Sequence, residues 1–145
     1  SEPVILPAHL NAEKHLLAVM LTDAQLTAYV QEHLDDQFAD DEHAAIASYL
    51  YAYYASGHAP DGTAFLMPLQ DERLERTVSG LLTKEPAPLT ADVLKDYISQ
   101  IRKAKTKREL DECRDRLELA NRAGQFDLAM ELSTKIIALD KALRG

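Results

Sequence analysis

The chain has 145 residues, 46% apolar and 28% charged, which is the length of one ordinary domain and is too apolar for a disordered chain. Such a length buries roughly 68–70% of the unfolded surface, so a folded core is expected. The formal charge of −8 is uneven, with 5 Lys/Arg against 16 Asp/Glu in residues 1–100 and 11 against 8 in residues 101–145, which argues against the first part gripping a phosphate backbone.

No stretch approaches the ~20 apolar residues of a membrane span. The start, "SEPVILPAHL", lacks the basic and apolar regions of a signal peptide, so no membrane contact and a cytoplasmic location are expected. Pro3 and Pro7 make the first residues an extended lead-in, and Asn11 is placed to cap a helix over "AEKHLLAVMLT", with Leu16, Leu17, Met20 and Leu21 at helical spacing. Thr22 or Asp23 caps a second short helix over "AQLTAYVQEHL". Asp35, Asp36, Asp40 and Asp41 cluster at the start of a third, "EHAAIASYLYAYYASG", where carboxylates suit the positive end of the helix dipole. The alternation in "YLYAYY" suggests a strand, yet the acidic start, the Ala-rich turn before it and Gly57 at the C′ position agree on helix. A short piece at 62–67, a helix over "DERLERTVSGLLT" and a Pro-rich break "KEPAP" follow. Thr90 caps the next helix, with Asp92 at its start.

From Leu89 to Ala123 there is no Pro or Gly, a run longer than an average globular helix, and its middle "RKAKTKRE" has almost no apolar face. Whether this connector stays helical or bends is left open. The fold expected is all-α: a multi-helix bundle over residues 1–102, a long connecting helix, and a C-terminal helical hairpin over residues 103–145. On the first arm Leu110, Cys113, Leu117 and Ala120 form a narrow stripe, Cys113 as a buried seam thiol. On the second, Leu128, Leu132, Ile136, Leu139 and Leu143 form one line, and Phe126, Met130 and Ile137 an adjoining one. Two lines exceed what the narrow first arm can cover. The surplus face docks on the bundle or meets another protein, and the basic connector favours the second.

No catalytic constellation is present. The five histidines show no HxxH or HExxH spacing, and "DDEH" at 40–43 points its side chains in different directions, so it reads as a helix cap rather than a metal site. There is no phosphate-cradling glycine loop and no nucleophile setting. No cofactor is expected. "RKAKTKR" lacks interleaved aromatics and is followed at once by Glu109, Asp111 and Glu112, so it reads as a solvated face and direct nucleic-acid binding is not expected. The tyrosines at 49–54 read as core, with hydroxyls reaching the bundle surface.

"NAEKHLLAVMLTDAQLTAYVQEHLDDQFADDEHAAIASYLYAYYASGH", followed by a short acidic helical segment and "ELANRAGQFDLAMELSTKI", resembles the C-terminal helicase-binding domain of bacterial DnaG-type primases, in particular those of Gram-positive bacilli. The resemblance covers nearly the whole chain. It implies a bundle that modulates helicase activity and a hairpin that docks on the N-terminal domains of the hexameric replicative helicase. It also implies a fragment that makes no primers itself, since the zinc-ribbon and polymerising domains of a primase are absent from it. The attachment residues it implies are Arg122, Gln125 and Phe126 near the tip, with Leu128, Met130, Glu131, Lys135 and Lys141 along the second arm.

Two other readings stay open. "LELANRAGQFDLAMELSTKIIAL" is similar to one tetratricopeptide-type unit, an adaptor fold that needs about three stacked copies, and no second copy appears. A single-stranded nucleic-acid accessory module using the basic connector is the other.

Overall fold

The computed structural model describes residues 6–145; the lead-in expected at Pro3 lies outside them. All regular structure among the described residues is helical: α1 (Ala8–Met20), α2 (Ala24–His33), α3 (Asp41–Ala55), α4 (Gly62–Phe65), α5 (Glu72–Leu81), α6 (Ala91–Arg122) and α7 (Phe126–Arg144). They divide into two compact units, one ending at Arg102 and one spanning Lys103–Gly145. The division falls inside α6, which runs unbroken for 32 residues, so the basic connector is helical throughout.

In the first unit α3 packs against α1, α2 and α5. The helical spacing of apolar residues decides which faces meet. Leu16, Leu17 and Met20 of α1, Val30 of α2, and Ile46, Ala47 and Leu50 of α3 are fully buried together with Phe38, Phe65, Leu69, Val78 and Ile101 in one cluster. Each such leucine or isoleucine contributes about 1.5–3 kcal/mol by leaving water.

Short aspartates set the helix starts. Asp23, Asp40, Asp61 and Asp71 are N-caps whose carboxylates accept from backbone amides one turn on, at 2.9 Å from Leu26 and 3.0 Å from His43 in the first two cases. Thr90 Oγ1 accepts from the Val93 amide at 3.2 Å. Part of the acidity of this unit is therefore structural, about 1 kcal/mol per cap.

Two sequence expectations are corrected here. Asn11 does not cap the first helix: Pro7 is its N-cap, the Pro7 carbonyl oxygen accepts from the Leu10 and Asn11 amides, and Asn11 lies inside the first turn. A proline is well suited to a helix entry, where the N–H it lacks would have had no intrahelical partner. Of the four acidic residues expected at the start of α3, Asp40 caps it and Asp41 stands in its first turn, but Asp35 and Asp36 belong to the turn after α2. There Asp35 has φ 48°, a left-handed conformation that Asp tolerates better than most residues.

A carboxyl side chain sits in the middle of this core. Glu13, on α1 and fully buried, accepts from the Ala39 amide at 2.7 Å through Oε2, and from His43 Nδ1 at 2.8 Å and the Asp40 amide at 3.3 Å through Oε1. Two of its donors are backbone amides that open α3 and the turn before it, so one side chain fixes the entry of α3 against α1. His43, from "DDEH", is thus a core residue of a polar network, and Asp40 is the cap.

The tyrosines of α3 divide. Tyr51 and Tyr54 turn inward, and their hydroxyls donate to the carbonyl oxygens of Asp35 at 2.7 Å and Met20 at 2.6 Å rather than reaching open surface. Burial first, then the Asp35 and Asp36 carboxylates, hold the Tyr51 phenol well above its ordinary value. Burial first, then Tyr53 and Asp23, push Tyr54 up to about 12. Raised folded-state values mean that the contribution of these groups is intact below the unfolded value of about 10 and is lost as pH rises beyond it. The urea midpoint is accordingly expected to fall between about pH 10 and about pH 12, and less so in Tyr54→Phe. Equal alkaline sensitivity of the two proteins would count against this assignment.

Candidate partner-binding surface

The second unit is a hairpin of the C-terminal part of α6 and α7. Its seam is Cys113, Ala120, Ala129 and Leu132, with Leu117, Leu128, Ile136 and Leu139 packed around them. Small residues at 120 and 129 suit a close approach of the two arms near the tip. Arg114 of α6 and Asp140 of α7 pair across the arms at 3.8 Å, but both are substantially exposed, so the pair adds at most about 1 kcal/mol.

The bend follows from one glycine. Gly124 has φ 69°, its amide donates to the Asn121 carbonyl oxygen at 3.2 Å, and the Gln125 amide donates to the Ala120 carbonyl oxygen at 2.9 Å. These two bonds satisfy the last carbonyls of α6 in the Schellman pattern, which wants glycine at this place. Gly124→Ala meets no neighbouring atom, so its cost is the backbone alone, expected at about 1–2 kcal/mol in thermal or urea unfolding of the hairpin. A stabilised Gly124→Ala protein would contradict this account of the bend.

The seam leaves one face of α7 uncovered. Phe126, Met130 and Ile137 are 71%, 71% and 70% exposed. At about 100° per residue their spacing of four and seven places all three within about 40° of one another, a continuous apolar stripe. Lys141 falls beside that stripe by the same geometry, whereas Glu131 and Lys135 lie about 100° or more around the helix. Arg122 and Gln125 are exposed at the bend, and the Arg122 guanidinium is held by Glu118 one turn earlier. Leu128 does not share the outward face: it is half-buried in the hairpin seam. Ile137 belongs with Phe126 and Met130, and the resemblance alone did not single it out.

The basic connector is partly engaged. Arg102 donates to the His33 carbonyl oxygen, and Arg108 Nε lies 3.2 Å from Glu112 Oε1. Among the described residues no three His, Cys, Asp or Glu side chains are placed to hold a metal ion, and no helix is long and apolar enough to cross a membrane.

The first unit carries an apolar opening of its own. A cleft of about 540 Å³ lies between the C-terminal half of α3 and the α4 region, lined by Tyr49, Tyr53, His58, Ala64, Met67 and Pro68 among others. The rings of Tyr53 and His58 stack at 4.4 Å, and Phe65 meets Tyr53 edge-on at 5.4 Å. Tyr49 is 40% and Met67 81% exposed at this cleft. This is a surface of aromatic and thioether groups.

No protein-family model matches the chain. It is 39% identical over 98 residues to the DNA primase of Halalkalibacterium halodurans, covering 67% of this chain and 16% of that protein. It is 36% identical over 99 residues to the DNA primase of Geobacillus stearothermophilus, with 67% and 16% covered. With the DNA primase of Listeria innocua the identity is 24% over 142 residues, covering 97% of this chain and 23% of that protein. The chain spans less than a quarter of the length of these curated relatives. Among solved structures it is similar to the DnaB binding domain of DnaG from Bacillus stearothermophilus, with a TM-score of 0.53, 30% identity, and coverage of 96% of this chain and 95% of that one.

Proposed function

The chain belongs to the family of the DnaB-binding domain of the primase DnaG, and from that membership we propose that it binds the N-terminal domains of a hexameric replicative helicase in the cytoplasm. The observation that carries this reading is the exposed stripe of Phe126, Met130 and Ile137, an apolar face that the hairpin's own first arm leaves open. An amphipathic helix that lays such anchors into a partner's groove is a common mode of recognition. Large apolar anchors of this kind dominate the energy of most interfaces.

In this reading the domain couples primer synthesis to unwinding without catalysis of its own. The unit over residues 103–145 attaches, and the unit over residues 1–102 modulates the helicase once tethered. Tethering raises the local concentration of a second contact, so that contact works without being tight.

Calorimetric titration of the hexameric helicase with residues 1–145 and with residues 1–102 tests the reading. Saturable binding by the longer chain and none by the shorter is the expected result. Equal binding by both would move the attachment to the bundle, and no binding by either would remove the helicase from the account.

A further inference from the structure

The apolar stripe of α7 carries charges of opposite sign at its two ends. Asp127 stands at the start of the helix and Lys141 one turn beyond Ile137, both exposed. Among the described residues neither side chain is paired. At about 100° per residue, Phe126, Met130, Ile137, Lys141, Thr134 and Asp127 share one arc of about 100°. The Thr134 hydroxyl donates to the Met130 carbonyl oxygen at 3.0 Å, so it leaves no unmet donor at the centre of this face. The spacing is close to symmetric about Thr134: Asp127 stands seven residues before it and Lys141 seven after, Met130 four before and Ile137 three after.

Such a face is complementary to itself. Laid antiparallel on a second α7, with the two-fold axis at Thr134, it brings Asp127 level with the other copy's Lys141 at both ends of the contact. Met130 then lies within about 1.5 Å, along the axis, of the level of Ile137. A parallel arrangement would set Asp127 against Asp127 and Lys141 against Lys141, which like charges oppose. Much of the chain offers the stripe less: from His15 to Glu72 the sequence contains no Lys or Arg and ten Asp or Glu, so α2, α3 and α4 have no cation to set against Asp127. We propose that the face of α7 bearing Phe126, Met130 and Ile137 pairs antiparallel with the same face of a second copy of this chain. The contact is isologous, closes on itself, and is specified by α7 alone. Three large apolar side chains per copy are a small patch against the roughly 1,000 Å² of a stable interface, so the pairing is transient and forms at high concentration. The free chain then covers part of its own attachment stripe, and a partner that takes the stripe takes it in competition with this pairing. The pairing goes beyond the helicase reading and does not depend on it.

Sedimentation equilibrium of the intact chain tests the pairing with two charge reversals, Asp127→Lys and Lys141→Asp. Both side chains are exposed, so the fold is expected to survive, which circular dichroism checks. At low salt the apparent mass of the unaltered chain is expected to rise above the monomer's 16.2 kDa between about 100 µM and about 1 mM. Each reversal alone sets like charges together at both ends of the contact and is expected to weaken association about tenfold. An equimolar mixture of the two variants is expected to recover association, because one brings lysines and the other aspartates to the facing places. Ile137→Asp, far from the start of the helix, is expected to abolish association by placing a carboxylate in the apolar stripe. A mass fixed at that of the monomer up to about 1 mM overturns the proposal. So does association untouched by either reversal or by Ile137→Asp, or a mixture that recovers nothing.

Discussion

Glu13→Ala is expected to destabilise the first unit by about 3–5 kcal/mol, the cost of removing the shared acceptor of a buried hydrogen-bonded network. The loss is large because three donors converge on this carboxylate, two of them backbone amides at the entry of α3. A buried donor that loses its acceptor carries a desolvation penalty of about 1–3 kcal/mol. Small domains are stable by only about 5–15 kcal/mol in all, so Glu13→Ala is near the limit of folding. Glu13→Gln is the second variant. It keeps the shape and one acceptor oxygen but turns an NH₂ group toward other donors, and an intermediate loss of about 1–3 kcal/mol is expected. Urea unfolding followed by far-ultraviolet circular dichroism measures both. A loss below about 1 kcal/mol for Glu13→Ala would mean that the network does not hold α3 in place.

Phe126→Ala is expected to weaken binding to the helicase by about 1–3 kcal/mol, roughly five- to 150-fold in Kd. The same substitution should leave unfolding almost unchanged, because the ring is mostly exposed and contributes little to the seam. Leu128→Ala is the contrasting variant. It sits half-buried against the hairpin core, so its effect should appear first in stability and only through that in affinity. Undiminished affinity of a folded Phe126→Ala protein would take the stripe out of the interface.

The division between what the residues revealed and what they concealed has a physical basis. Helices were legible wherever a cap and a 3.6-residue apolar period agreed, as at Asp23, Thr90 and Gly57. The start of α1 was not, because Asn11 is a good cap by type and only the backbone geometry shows that Pro7 already serves. The stripe of Phe126, Met130 and Ile137 was visible as a second line of apolar residues, since helical spacing alone fixes which side chains share a face. What no single-helix pattern reveals is a contact between distant segments. Glu13 does leave a trace, a charge standing in the line of Leu16, Leu17 and Met20, but its partners at 39, 40 and 43 become apparent only when α1 and α3 are side by side. The cleft is concealed for the same reason: Tyr49 and Tyr53 carry core spacing, and their exposure depends on where the segment from His58 to Pro68 passes.

The cation-free stretch also determines how this protein can be mapped. No lysine occurs between Lys14 and Lys84, so amine-reactive cross-linkers have nothing to attack on α2, α3 or α4. Trypsin releases the same region as one peptide, His15–Arg73, with the cleft intact inside it. A lysine-based footprint of any assembly would therefore report the hairpin, and the bundle only at Lys14, Lys84 and Lys95, and stay silent on α2, α3 and α4 even where they are in contact. Carboxylate-directed labelling, which has ten targets in that stretch, would report it.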